Sequence, residues 1–254
     1  PARETLLIDL NDDGYSETIL YDSYNSYSFV FLFDGAATQF EGENFLDGWF
    51  FLVDLDSNDS FLDLAVQELG PSDDFQVSFF YFDGSRLIKR GTVPGTICDP
   101  FAANIGAQAY GLGSIRLDGF GGLIAEARGA VLHTWFYDEP WVLDSRGQLQ
   151  IIPQTYVPMT GLDPLTGLQV AETPVVMKIN LPLYPQPSVT SASLIARTGE
   201  NASLVRTDNS RWVELRTQSG ETGWFRLGAN PYSVQVGASE YFSEEVFSGL
   251  TFAD

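Results

Sequence analysis

Residues 9–17 read DLNDDGYSE and place oxygen-bearing side chains at the first, third, fifth and ninth positions of one short segment. These side chains belong to Asp9, Asn11, Asp13 and Glu17. Calcium takes several oxygen ligands at about 2.3–2.6 Å, and alternate residues of a tightly curled loop deliver them to one point. Gly14, at the sixth position, allows the sharp turn. The spacing therefore predicts a calcium loop, with the main-chain carbonyl of Tyr15 as the ligand at position seven.

Short apolar runs flank this loop at residues 6–8 and 18–20. Runs of that length suit buried strands better than the helices of an EF-hand. The loop is therefore expected to join two strands of a β-protein.

A second copy of the pattern follows about 45 residues later, where residues 54–63 read DLDSNDSFLD. The candidate metal ligands of this second loop are Asp54, Asp56, Asn58 and Asp63. Asp59 stands where the first loop has its glycine, and Asp63 falls one residue late, so a weaker or rearranged site is expected. An aromatic strand and an Asp-Gly turn follow each loop, at residues 29–35 and 78–84. A period near 45 residues with this content is typical of one propeller blade.

The first loop resembles the calcium loop of FG-GAP/VCBS repeats, the blades of integrin-like propellers, whose motif is roughly Asp-x-Asp-x-Asp-Gly-x-x-Asp/Glu. The resemblance covers residues 4–157 and implies a partial or atypical propeller, because the repeats are too few for a seven-bladed ring. Residues 114–119 and 131–137 hold the remnants of a third unit, to which no metal is assigned. The calcium that the resemblance implies has a structural role, because it neutralises clustered carboxylates.

The C-terminal part has a different pattern, with short strands separated by closely spaced turns. Residues 212–225 read WVELRTQSGETGWF and resemble the signature of bacterial SH3 (SH3b) domains, which implies a small barrel. SH3b modules belong mostly to exported proteins, and many attach to cell-wall peptidoglycan. Trp212 and Trp224 are therefore candidate ligand-binding residues, although both also suit the core of a barrel.

These patterns predict an all-β chain with a propeller-like repeat domain followed by a small SH3-like barrel. The expected domains are residues 1–157 and 175–254, and the second of them includes an aromatic C-terminal tail. Residues 158–174, rich in Gly, Pro and Thr, are expected to link them.

The composition excludes several classes of function. Asp and Glu outnumber Lys and Arg by 34 to 13, a balance that repels nucleic acid and anionic lipid. No apolar run reaches the roughly 18–20 residues that span a bilayer. The single cysteine, Cys98, forms no internal disulfide and has no activating positive neighbour, so an inert thiol is expected. The first residue, Pro1, favours removal of an export signal or a lipoprotein leader, and hence an extracellular or cell-surface location.

No catalytic machinery is evident, because the chain has one histidine and lacks the glycine-rich motifs of nucleotide and hydrolase sites. His133 lies in a predicted strand at residues 131–137, where alternation places it on one face with Trp135. The remaining enzymatic possibility is a glycan- or wall-active hydrolase that pairs Asp138 with another carboxylate. Asp138 and Glu139 are neighbours on a strand and so point to opposite faces.

The preferred hypothesis is an exported, non-catalytic binding or scaffold protein with calcium-stabilised repeats. A cell-wall component or another surface protein is the expected partner. A hydrolase is the alternative, and a purely structural spacer is a third possibility.

Overall fold

A computed structural model describes residues 4–25, 28–33, 36–42, 45–70, 75–97, 114–162, 169–188 and 191–252. Within these ranges the regular secondary structure is β-strand, apart from a single helix of four residues. The prediction of an all-β protein is confirmed. No helix in the described ranges has the length and apolar character needed to traverse a bilayer.

The first sheet is an antiparallel meander in which each strand pairs with the next along the chain. Its strands are β1 (Glu4–Ile8), β2 (Glu17–Asn25), β3 (Ser28–Phe33) and β4 (Ala36–Glu41). The acidic loop at residues 9–16 joins β1 to β2, as the flanking apolar runs indicated.

The second sheet repeats this topology. Its strands are β5 (Phe45–Val53), β6 (Asp63–Leu69), β7 (Gln76–Phe82) and β8 (Leu87–Pro94). Strand β6 is buried on both faces, and its side chains pack into two different apolar clusters. Leu64 and Val66 belong to one cluster, and Ala65 belongs to the other. Because alternate side chains of a strand point to opposite faces, this sheet lies between two apolar layers.

A third four-stranded meander follows, at the position where the sequence retains remnants of a repeat. It consists of β9 (Arg116–Leu117), β10 (Gly122–Arg128), β11 (Phe136–Leu143) and β12 (Leu149–Ile151). Leu123, Ala125 and Leu149 of this sheet pack with Ala65, Val77 and Phe79 of the second sheet. Three consecutive sheets therefore share one topology.

The remaining strands form a larger sheet and two short hairpins. The hairpins pair β14 (Gly161–Leu162) with β15 (Gln169–Val170), and β17 (Leu181–Leu183) with β18 (Leu194–Ala196). The members of the large sheet are β13 (Val157–Pro158), β16 (Thr173–Met177), β19 (Asn201–Thr207), β20 (Trp212–Thr217), β21 (Thr222–Leu227), β22 (Ser233–Val236), β23 (Ser239–Phe242) and β24 (Phe247–Ser248). Their order in the sheet is β23-β22-β21-β20-β19-β16-β24, and β13 also pairs with β19. Helix α1 (Ser243–Val246) connects β23 to β24.

The chain divides into two compact units, and each of them is discontinuous in sequence. Unit 1 comprises Pro1–Glu126 and Glu139–Pro153, and unit 2 comprises Ala127–Asp138 and Gln154–Asp254. Residues 127–138 therefore group with the C-terminal part, whereas the sequence pattern predicted one continuous domain over residues 1–157. The segment predicted as a linker contains β13, β14, β15 and the start of β16, while residues 163–168 lie outside the described ranges.

Residues 127–138 supply part of the core of unit 2. Val131, Leu132 and Trp135 are each at most 2% exposed and pack with apolar residues of the large sheet. The main-chain N–H of Leu132 donates to the carbonyl of Pro231 at 2.9 Å. The Ser243 hydroxyl donates to the Leu132 carbonyl at 2.7 Å.

The strand that the sequence predicted at residues 131–137 is wrong over most of its length. Strand β11 begins only at Phe136, because the chain turns sharply at Leu132. The N–H of His133 donates to the carbonyl of Val131 at 2.9 Å, and Leu132 has a φ of 66°. A γ-turn with positive φ is strained for a branched residue, so the burial of Leu132 and its bonds to distant residues hold it in place.

Candidate functional site

The first acidic loop is organised by its own carboxylates. Oδ1 of Asp9 accepts a hydrogen bond from the N–H of Asp13 at 3.2 Å, and Oδ2 accepts one from Gly14 at 2.8 Å. Oδ1 of Asp13 accepts from the N–H of Tyr15 at 2.9 Å. Gly14 has a φ of 87°, the left-handed conformation for which glycine is suited. The loop thus curls around the side chain of its first residue.

Asn11 and Glu17 point back toward the same loop. The Glu17 side chain is buried, and its Oε2 accepts from the N–H of Leu10 at 2.8 Å. Nδ2 of Asn11 donates to Oδ2 of Asp13 at 3.1 Å, while Oδ1 of Asn11 is buried without a hydrogen-bond partner. A buried carbonyl oxygen without a donor is uncommon, and a cation would satisfy it.

The donor set of this loop suits a hard cation. Side-chain oxygens of Asp9, Asn11, Asp13 and Glu17 are the ligand type that calcium selects. In the geometry described, several of these oxygens accept main-chain N–H groups. Among the described residues no three His, Cys, Asp or Glu side chains are gathered as a metal-binding group. The feature that fits a metal is the unsatisfied Asn11 oxygen.

The second acidic loop is arranged differently. Oδ1 of Asp56 accepts from the N–H of Asn58 at 3.1 Å and from its side-chain Nδ2 at 2.9 Å. Asp54 is exposed. The N–H of Ser57 donates to the carbonyl of Gly119 at 3.0 Å, so this loop is bonded to the turn that precedes β10.

Asp63, predicted as the last ligand of this second loop, lies in an ion pair at the start of β6. Nε of Arg90 on β8 donates to Oδ1 of Asp63 at 2.5 Å, and Nη2 of Arg90 donates to Oδ2 of Asp59 at 3.0 Å. Burial raises the pKa of the Asp63 carboxyl to about 6, and the charge of Arg90 opposes this rise. The second oxygen of Asp63 is buried without a partner. Sequence reasoning missed Arg90, because 27 residues separate it from Asp63.

Trp212 and Trp224, the predicted ligand-binding residues, lie on the hairpin of β20 and β21. The Trp224 side chain is 5% exposed, whereas Trp212 is half-buried. The ring of Tyr184 meets Trp212 edge to face at 5.8 Å between centroids, and the ring of Tyr156 lies 4.9 Å from Trp224. The two tryptophans therefore belong to two aromatic pairs, Trp212 with Tyr184 and Trp224 with Tyr156.

Arg206 packs against the pair formed by Tyr156 and Trp224. Its Cζ lies 5.2 Å from the centroid of the Tyr156 ring and 5.4 Å from that of Trp224. Nε of Arg206 donates to Oε2 of Glu214 at 2.7 Å. A groove with a volume of about 580 Å³ opens beside it, lined by residues that include Tyr156, Pro158, Glu172 and Arg206. Nothing in the sequence pattern pointed to Tyr156, because it precedes the SH3b-like segment by more than 50 residues.

His133 lies in unit 2, in the segment that contributes to its core. Its side chain is 2% exposed, and Nδ1 lies 2.9 Å from the carbonyl oxygen of Thr134. Burial lowers the pKa of His133 to about 4, so the ring is neutral at pH 7. Nε2 is buried without a partner. This environment is that of a packed core histidine.

The remaining candidates from the sequence are the strand carboxylates Asp138 and Glu139 and the thiol Cys98. Asp138 is exposed on β11, and Oε2 of Glu139 accepts from Nε1 of Trp141 at 2.9 Å. Cys98 lies outside the described residues.

Comparison with known proteins provides no family for this chain: no family model, curated protein or solved structure matches it.

Proposed function

We propose that this chain is a non-catalytic, exported or cell-surface binding protein, in which a propeller-like repeat unit carries an SH3b-like module. Three successive four-stranded meanders that share apolar layers support the propeller-like description of unit 1. The pairing of β20 with β21, which contain the SH3b-like segment, supports the description of unit 2.

The observation that carries a binding role is the pair of aromatic contacts and the arginine on the hairpin side of unit 2. Trp212, Tyr156 and Tyr184 are half-buried, and Arg206 is exposed beside Tyr156. Aromatic side chains and arginine are enriched at recognition surfaces, because each offers a large contact area together with a polar group. A cell-wall component or another surface protein is the proposed partner.

Calcium is proposed to stabilise the first loop. Asp9, Asn11, Asp13 and Glu17 would supply side-chain oxygens, and Tyr15 its carbonyl. The ion would neutralise carboxylates that otherwise repel one another. For the second loop the proposal is limited to Asp54, Asp56 and Asn58, because Asp63 is engaged by Arg90.

Sedimentation with purified bacterial cell walls tests the binding role. We expect the protein to sediment with the walls and the Trp212→Ala variant to remain largely in the supernatant. Tyr232→Ala is the matched control, since Tyr232 is an aromatic residue of the same unit and is 43% exposed. Failure of the unmodified protein to sediment would refute a wall partner. Turnover of glycan substrates that is lost in Asp138→Asn would refute the non-catalytic assignment.

Thermal unfolding of chelator-treated protein, with calcium or magnesium added, tests the metal. A cation that binds only the folded state contributes about 2.7 kcal/mol at a concentration of 100 Kd. We expect calcium, but not magnesium, to raise the unfolding temperature, and we expect this rise to be smaller in Asp13→Asn. Asp12→Asn is the matched control, because it removes one charge from the same loop at a position outside the ligand set. Equal shifts in the two variants would show that loop charge, not ligation, is responsible.

A further inference from the structure

Three side chains form a row across adjacent strands on one face of the large sheet. Trp224 on β21 pairs in register with Glu214 on β20, and Glu214 pairs with Arg206 on β19. Leu215 and Phe225, the sequence neighbours of Glu214 and Trp224, point into the core of unit 2. On β19 the core residue Leu204 lies two positions before Arg206, and a β-bulge between them places Arg206 on the opposite face. The row therefore lies on the face directed away from that core.

Arg206 is held in a fixed orientation on this face. The Tyr156 and Trp224 rings pack against its guanidinium, and Glu214 accepts the hydrogen bond from Nε. Its side chain is nevertheless 47% exposed, and within the described part of the chain Nη1 and Nη2 have no hydrogen-bond partner. A planar guanidinium that is already oriented and has two free donors matches the geometry of a carboxylate.

The charge of this face also favours an anion. Alternation on β20 and β21, together with the β-bulge of β19, places three arginines and one glutamate on the outward face: Arg206, Arg216, Arg226 and Glu214. Glu172, which lines the groove, is bound by Nη1 of Arg216 at 2.5 Å. With Glu172 counted, three arginines face two glutamates, which leaves one net positive charge here in a chain with a net charge of −21.

The neighbouring segment offers hydrogen bonds to a peptide backbone. Gln154, Thr155 and Tyr156 line the groove in a non-strand conformation, and Gln154 and Thr155 are exposed. In the region that the structure describes, the main-chain N–H groups of these three residues have no partner. Unpaired main-chain groups beside an oriented arginine suit an extended peptide better than a sugar.

We propose that this groove binds the free terminal carboxylate of an extended peptide. Nη1 and Nη2 of Arg206 receive the carboxylate, and Tyr156 covers the residue that bears it. This inference rests on the proposed binding role of unit 2 and specifies the chemical class of its ligand.

The test is titration of the full chain with acetyl-Ala-Ala-Ala and with the same peptide carrying a C-terminal amide. Tryptophan fluorescence and calorimetry provide two readouts. We expect the free acid to bind at least about tenfold more tightly than the amide, and its affinity to fall as salt is added. Arg206→Lys keeps the charge but loses the two-donor geometry, so it should weaken binding of the acid about tenfold. Arg226→Lys, the same change on the same face, should have no effect.

Equal binding of acid and amide, or equal effects of the two lysine variants, would overturn the inference. Lack of binding of either peptide at millimolar concentration would also overturn it. Wall sedimentation distinguishes this failure from that of the proposed function. If the protein and Arg206→Lys sediment equally, the binding role stands and the carboxylate assignment is wrong.

Discussion

Arg90 and Asp63 form an ion pair that is almost completely removed from water. The two side chains are 4% and 0% exposed, and Nε of Arg90 lies 2.5 Å from Oδ1 of Asp63. Burial of an unpaired charge costs several kcal/mol. The two ions tolerate burial because each charge compensates the other. Asp59 and the Tyr81 ring, whose centroid lies 4.5 Å from Cζ of Arg90, also contact the guanidinium.

Removal of the arginine should therefore be costly. Arg90→Ala leaves the Asp63 carboxylate buried without compensation, and we expect it to destabilise unit 1 by about 3–5 kcal/mol at pH 7. Arg86→Ala is the control, because Arg86 is 74% exposed and lies 3.7 Å from Asp83. That change should cost less than about 1 kcal/mol. Urea unfolding measures the stability of both variants. Similar losses of stability in Arg90→Ala and Arg86→Ala would contradict the importance of burial.

The raised pKa of Asp63 predicts how the stability of unit 1 depends on pH. The folded state holds this proton up to about pH 6, whereas the unfolded chain releases it near the ordinary value of 3.8. Because the folded state binds this proton more tightly than the unfolded chain does, protonation stabilises the folded state below pH 3.8. This stabilisation, on the order of 3 kcal/mol, is lost as the pH rises through 6. Urea unfolding between pH 4 and 7 should show this loss in the unmodified protein and not in Asp63→Asn. Parallel pH curves for the two proteins would contradict the prediction.

The lowered pKa of His133 predicts that the stability of unit 2 depends on pH with the opposite sign. Its folded pKa of about 4 lies below the ordinary 6.5, because the buried ring resists protonation. The stabilisation is present above pH 6.5 and is lost as the pH falls toward 4, by on the order of 3 kcal/mol. His133→Asn should be less stable at pH 7 yet less sensitive to acid. Fluorescence of the tryptophans reports this unfolding, and equal acid sensitivity of both proteins would refute the role of His133.

Truncation tests the membership of residues 127–138 in unit 2. A fragment of residues 154–254 lacks Val131, Leu132 and Trp135, which are buried in the core. Truncation of one large core side chain costs about 2–5 kcal/mol, so loss of all three approaches the whole stability of a domain. We expect this fragment to unfold without cooperativity and a fragment of residues 127–254 to unfold cooperatively. Circular dichroism against temperature compares them, and equal cooperativity would show that the segment is dispensable.

The sequence was informative where structure depends on local pattern. Alternation and turn residues predicted an all-β chain, and the short strands and close turn expected at residues 212–225 are found as β20 and β21. The acidic spacing at residues 9–17 located a loop that the structure shows curled around Asp9. In these cases the residues that determine the conformation are close together in the chain.

Features that depend on distant partners could not be predicted. Leu132 carries no turn signal, and its γ-turn is held by Pro231 and Ser243. Arg90 and Tyr156 likewise acquire their roles from strands that lie far away in sequence. One sequence shows periodicity along the chain, but it does not show which distant segments pair.

The bond between Ser243 and Leu132 spans 111 residues and therefore bears on how the chain folds as it is synthesised. Ribosomes add about 5–20 residues per second, so on the order of ten seconds pass between the synthesis of Leu132 and that of Ser243. During that interval the core that residues 131–135 enter is incomplete, because Val246 and Phe247 emerge only after Ser243. The newly made segment must then either be shielded by other proteins or form temporary contacts that the finished protein has to break.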